Sequence, residues 1–173
     1  MTRHPRPIGA LLLALLSFSF SVSCGGGGAA SPHAAVAASG PEVSFSLPSN
    51  SGDLVTVPLP GSHRTVLDFF GPTCQPCAKK VPELVGRRAD IEQRGGKLLL
   101  VAVLADGEST ADAERALAKW GVRSPFLVDR AGASLREAGV KDLPATIIVD
   151  PNGRTRWRAP IGATAEDVLR ALP

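Results

Sequence analysis

The chain has only three cysteines and three histidines in 173 residues, whereas a structural zinc site takes about four ligands. Two of the cysteines, Cys74 and Cys77, stand together in "GPTCQPCAKK"; His63 lies eleven residues before Cys74, and there is no second cysteine pair. A metal clamp is therefore poorly supplied. A copper-handling module fares no better, since neither histidine nor methionine adjoins the thiols. Ala78 follows Cys77 where a haem attachment site would have histidine. No basic stripe with interleaved aromatics occurs, so nucleic acid has no argument as a partner. No apolar run reaches the roughly 20 residues that cross a bilayer core; the candidate, 8–22, has fifteen. Nothing in the pattern calls for a bound cofactor or metal.

What the chain does have is enough apolar sequence to fold. Hydrophobic residues make up 44% and charged residues 20%, the composition of one ordinary domain with an appendage. Residues 1–23 set Arg3, His4 and Arg6 ahead of an uncharged apolar stretch, the layout of an export signal. That stretch ends in "SVSCGGGG", which resembles the lipobox of bacterial lipoproteins, whose cysteine is acylated. Cys24 is the expected lipidation site, although Ser21 stands where leucine is usual. The "AVA" at 35–37 offers a rival cleavage site, but too far beyond the apolar core. Residues 24–41 then read as the lipidated cysteine and a flexible tether in which His33 is solvated. The expected product is an exported protein, lipid-anchored to the periplasmic face of the cell envelope, where disulfides persist. Of the 19 lysines and arginines, Arg3 and Arg6 leave with the signal, so 17 face 16 acids and the net charge is +1.

The folded domain is expected over 42–173. "EVSFSL" and "DLVTVPL" alternate around "PSNSGD", which predicts an edge hairpin whose further pairing Pro48 and Pro58 limit. A buried strand is expected at 64–70, a helix over 74–94 ended by Gly95-Gly96, and a central parallel strand at 97–104. "STADAERALAKWG" (109–121) combines a hydroxyl cap with Ala113, Ala116, Leu117 and Trp120 at helical spacing and a closing glycine. Strand 125–129, a short helix around 134–138, strand 145–150, the turn "DPNG", strand 154–159 and a helix from Thr164 complete the order. Strands alternating with helices, then a closing hairpin, give an α/β domain with a mixed central sheet flanked by helices.

Spacing alone leaves Cys74 and Cys77 as a clamp, a staple or a reactive dithiol. A staple is a weak reading, because so short a loop constrains little unfolded-chain entropy. A reactive dithiol needs a lowered thiol pKa, which a helix N-terminus supplies. Strand 64–70 delivers the chain to such a point, with Cys74 at or just before the helix start and Cys77 one turn in. Cys74 is then the better exposed thiol and the nucleophile. Pro76 in the first turn breaks no hydrogen bond, whereas Pro82 lies inside the helix and is expected to kink it.

Together these residues resemble the thioredoxin superfamily, and within it the exported, membrane-tethered TlpA- and ResA-like thiol-disulfide oxidoreductases. "VLDFFGPTCQPCAKKVPEL" resembles the active-site run of that family, and "GVKDLPATIIVDPNGRTRWRAPIG" its later segment, with Pro144 in the place of the cis-proline facing the dithiol. Residues 105–129 match a helix and strand inserted in this branch. The resemblance implies a thioredoxin-like fold over 42–173 and exchange of disulfides with exported client proteins, Cys74 attacking and Cys77 resolving. It implies a docking groove involving Leu143, Pro144, Thr73 and Pro76; working as a reductant in an oxidising compartment, such a protein would need electrons from a transmembrane donor. Thr73 departs from the usual tryptophan, and Lys80 stands where many tethered members carry glutamate. Asp68 matches the buried aspartate of thioredoxin itself; burial should raise its pKa and make it a proton acceptor for Cys77. A peroxiredoxin-like peroxidase is the alternative enzyme. Its proline and threonine, seven and three residues before the reactive cysteine, are replaced by Leu67 and Gly71 before Cys74, and by Phe70 and Cys74 before Cys77.

Overall fold

The computed structural model describes residues 42–173; the expected signal, Cys24 and the tether lie outside them. Five strands form the central sheet: β3 (Arg64–Phe70), β4 (Gly96–Leu104), β5 (Phe126–Arg130), β6 (Ala145–Val149) and β7 (Thr155–Arg158). Their order is β5-β4-β3-β6-β7. β3, β4 and β5 run parallel, while β6 and β7 pair antiparallel to their neighbours. The expected mixed sheet is what forms.

Period-two alternation gives each face its own core. Val66 and Phe70 of β3 align with Leu98 and Ala102 of β4 and with Ile148 of β6, and this row meets the buried Cys77, Val81 and Leu84 of a helix. That helix is α1 (Cys77–Gly86); α3 (Thr110–Lys119) and α5 (Ala165–Ala171) bury Leu117 and Leu169 in the same cluster. Phe70 anchors it, with edge-to-face contacts to Trp120 and Phe126 at 6.0 Å between ring centroids. α3 and α5 each open with a capping box, Ser109 with Asp112 and Thr164 with Asp167, so their first N–H groups are satisfied locally.

The opposite face presents Leu67, Phe69, Val101, Ile147 and Val149. It is covered by α4 (Ala133–Glu137) and by the N-terminal hairpin, β1 (Phe45–Pro48) and β2 (Leu54–Val57). The hairpin is not an added strand at the edge of the main sheet, as the alternation alone suggested. It is a separate two-stranded sheet whose Val57, Phe45, Leu47 and Val55 pack on that face. Before β1, Glu42 bridges Arg154 beside β7; after it, Ser49 bridges Leu127 of β5. The segment therefore crosses the sheet from one outer strand to the other, because its alternate apolar residues are buried only by lying across a face.

The helix expected over 74–94 is two helices, and it begins later. α1 starts at Cys77 with Pro76 as its N-cap, since a proline disfavours helical backbone in the residue before it and so keeps Gln75 and Cys74 out. Pro82 lies inside α1, which continues past it to Gly86. The chain leaves the helical track at Arg87 (φ −101°, ψ 12°), directly after that glycine, and resumes as α2 (Arg88–Gln93). Glycine is the poorest helix former after proline, so the break falls there.

Candidate functional site

β3 ends at Phe70, and the chain turns through Gly71–Cys74, closed by a bond from the Cys74 N–H to the Gly71 carbonyl at 3.2 Å. Cys74 and Cys77 are joined in a disulfide, with Cα atoms 5.3 Å apart. Cys77, at the first position of α1 rather than one turn inside it, is fully buried; Cys74 is only partly so. Burial thus makes Cys74 the sulfur that an incoming group can reach.

The register of β3 and β6 assembles the rest. Phe69 pairs with Ala145 and Asp68 with Thr146, so the residues just before Ala145 must lie beside the turn that follows Phe70. Pro144 does, joined to Leu143 by a cis bond. Leu143 closes on the turn so tightly that a Cβ built on Gly71 would stand 3.2 Å from its Cδ1 and 3.8 Å from the Cys74 Cβ. Glycine at 71 is what admits that approach.

Asp68 shares the α1 face of the sheet with Val66 and Phe70 and is completely buried. Its Oδ1 accepts the Thr146 hydroxyl at 2.7 Å, while Oδ2 has no partner. Desolvation pushes its pKa up to about 6, against the opposing pull of the Lys80 ammonium and the Thr146 bond. Burial in turn lowers the pKa of Lys80, which Asp68 and Glu83 counter. The expected buried aspartate is in place, and its free oxygen is where a proton can be held.

A groove of about 680 Å³ is lined by Pro76, which stands between the two cysteines, and Lys80 of the α1 end, by Leu143 and Pro144, and by Ile161 on the loop before α5. Ile161 is fully exposed. Three of the four expected docking residues, Pro76, Leu143 and Pro144, meet here. Thr73 does not: it lines a separate hollow of about 300 Å³ with Glu108 and Arg115, and its hydroxyl donates to Glu108 Oε1 at 3.2 Å. Thr146, the Lys80–Asp68 coupling and Ile161 are absent from the sequence reading. The first two depend on strand register and helix packing, which local sequence does not carry; Ile161, an isolated apolar residue between Pro160 and Gly162, was the one visible signal. Among the described residues no group of three His, Cys, Asp or Glu side chains could hold a metal ion.

Comparison with known proteins places this geometry among relatives. The AhpC/TSA family model matches residues 40–158. The thiol-disulfide oxidoreductase ResA of Geobacillus thermodenitrificans is 29% identical over 106 residues, 61% of this chain and 59% of that protein. ResA of Geobacillus kaustophilus is 29% identical over 133 residues, 72% of this chain and 75% of that protein. The chain thus spans less than two thirds of the first relative and three quarters of the second. A solved structure of a thioredoxin-family thiol:disulfide interchange protein from Chlorobium tepidum superposes with a TM-score of 0.60 at 20% identity, covering 79% of this chain and 96% of that one. The fold is thioredoxin-like.

Proposed function

The chain belongs to the AhpC/TSA family, and on that footing we propose that it is a thiol-disulfide oxidoreductase acting on the disulfides of exported client proteins. One observation carries the reading: a disulfide with one buried and one reachable sulfur, formed where β3, which carries the buried Asp68, turns into α1, with Pro76 between the two cysteines lining a groove. The ResA relatives support it by name.

In the dithiol form, the Cys74 thiolate attacks one sulfur of a client disulfide. A mixed disulfide forms, and the other client sulfur leaves as a thiolate that takes a proton from water. Cys77 then gives its proton to Asp68, which is ionised above about pH 6, and its thiolate attacks the Cys74 sulfur. The second client thiolate leaves and is protonated. Two electrons have passed to the client, and the protein holds the Cys74–Cys77 disulfide. Pro144, without an N–H, leaves the neighbouring carbonyl free for a client strand. A thiol donor across the membrane must return the electrons, because the compartment is oxidising. Anchoring is through lipid on Cys24.

The direction is reduction of clients. Neither Gln75 nor Pro76 is cationic, and the half-buried Lys80 has its pKa lowered by burial and its charge offset by Asp68 and Glu83, so little stabilises a Cys74 thiolate unusually. A glutathione titration should give a potential more negative than about −200 mV, and one above about −150 mV would overturn the direction.

Trapping tests the reaction itself. A Cys77→Ser variant, reduced and mixed with a disulfide-bonded protein, should accumulate a mixed disulfide on Cys74, and Cys74→Ser should not. Accumulation on neither, with rapid oxidation of the wild-type dithiol by hydrogen peroxide, would favour the peroxidase despite Leu67 and Gly71.

A further inference from the structure

The rim of the groove is not electrically even. Lys79 and Lys80 on α1, Lys141 ahead of Leu143, and Arg158 at the end of β7 line it, against two carboxylates, Glu83 and Asp142. That is four cations to two anions, an excess of two, whereas the described residues as a whole hold 17 lysines and arginines to 16 acids. The remainder of the described residues is therefore net negative, and positive charge is concentrated at the groove.

The individual partners sharpen the point. Glu83 Oε1 accepts the Ala165 N–H at 2.9 Å, so this carboxylate is committed to the start of α5. Arg158 donates to the Ala138 carbonyl at 2.5 Å, a neutral acceptor that leaves its charge uncompensated. Lys80 is half-buried, and the charges of Asp68 and Glu83 oppose the lowering of its pKa by burial. Lys79 and Lys141 are exposed, and among the described residues neither side chain takes part in a hydrogen bond or an ion pair; the Lys79 backbone N–H donates to the Pro76 carbonyl at 3.3 Å. Both line the groove from different segments, Lys79 two residues after Cys77 on α1 and Lys141 two before Leu143.

We propose that this groove selects extended client segments that carry an acidic side chain within a few residues of the disulfide to be exchanged, with Lys79 and Lys141 as the groups that recognise it. The proposal rests on the oxidoreductase reading and adds the chemistry of the client. A strand advances about 3.3 Å per residue, so an acid one to three positions from the client cysteine comes within reach of one lysine or the other. The apolar lining, Leu143 and Ile161, takes uncharged side chains of the same segment. Complementary charge of this kind acts mainly on encounter rate and weakens with salt.

The test compares three disulfides with the reduced full-length protein: two matched peptides, one with glutamate and one with lysine flanking the cysteine, and the uncharged bis(2-hydroxyethyl) disulfide. At low ionic strength the glutamate peptide should react about tenfold faster than the lysine peptide, and most of that ratio should vanish at about 0.5 M salt. The double variant Lys79→Glu, Lys141→Glu should invert the ratio once each peptide rate is divided by that variant's own rate with the uncharged disulfide, which cancels any change in the reactivity of Cys74; both sites are exposed, so folding is little affected. Equal rates for the two peptides, or a ratio that persists in the double variant, would overturn the charge selection and leave the oxidoreductase reading standing. Failure of the wild-type dithiol to react with all three would overturn both.

Discussion

Asp68 carries its carboxyl into a fully buried place with one hydrogen bond, and this has a measurable pH signature. The group titrates near 3.8 when unfolded and near 6 when folded. Between those values the unfolded chain has released a proton that the folded chain still holds, so stability falls as pH rises through that window and stays lower above it. A shift of about two units corresponds to roughly 3 kcal/mol. Asp68→Asn should therefore stabilise the oxidised protein by about 1–3 kcal/mol at pH 8 and by little at pH 4, read from urea unfolding; an equal effect at both values would mean that the carboxyl ionises normally. Lys80→Gln removes the cation that opposes this shift, so the upper end of the window should move to higher pH in the same measurement. Asp68 was legible as an acid inside an apolar run. Its partner Thr146, 78 residues away, was not, because only strand register brings the two together.

Among elements, those with a strong local pattern are the ones that sequence locates. β4, apolar on both alternations, and α3, with its Ser109 cap and buried Ala113, Ala116 and Leu117, fall within two residues of their expected bounds. The helix that carries Cys77 does not, because 74–94 is helical in composition throughout and its true start and break depend on Pro76 and Gly86. The hairpin was legible as two strands, but its place across a face depends on contacts with Arg154 and Leu127, distant in sequence. Where α2 turns into β4, the backbone passes so close that a Cβ on Gly96 would stand 2.8 Å from Ile91 Cγ2, 3.0 Å from the Ile91 carbonyl oxygen and 3.2 Å from Leu172 Cδ1. The carbonyl cannot swing aside as a side chain can. Gly96→Ala should cost about 1–3 kcal/mol, seen as a lower urea midpoint with an unchanged slope, whereas an unshifted midpoint would show that α2 yields freely.

For the whole molecule, the anchoring proposal has its own test: Cys24→Ala should leave the protein exported but released from membranes by a salt wash, since the acylated sulfur is gone and the apolar signal remains. Retention after washing would mean that an uncleaved apolar segment holds it. Molecules fixed to one surface meet their own copies often, and a five-stranded sheet brings with it two outer strands ready to pair with a stranger. Here one segment is tied both to the start of β5 and to the turn that precedes β7. Val43 donates to the Gly153 carbonyl at 2.8 Å beside β7, and Asn50 exchanges bonds with Phe126 on β5, giving its N–H to the carbonyl at 2.9 Å and taking the Phe126 N–H on Oδ1 at 3.2 Å. The stretch leading into the domain thus works as a strap, pinned at the corner before β7 and at the start of β5, that holds the two outer ends of the sheet to one piece of chain.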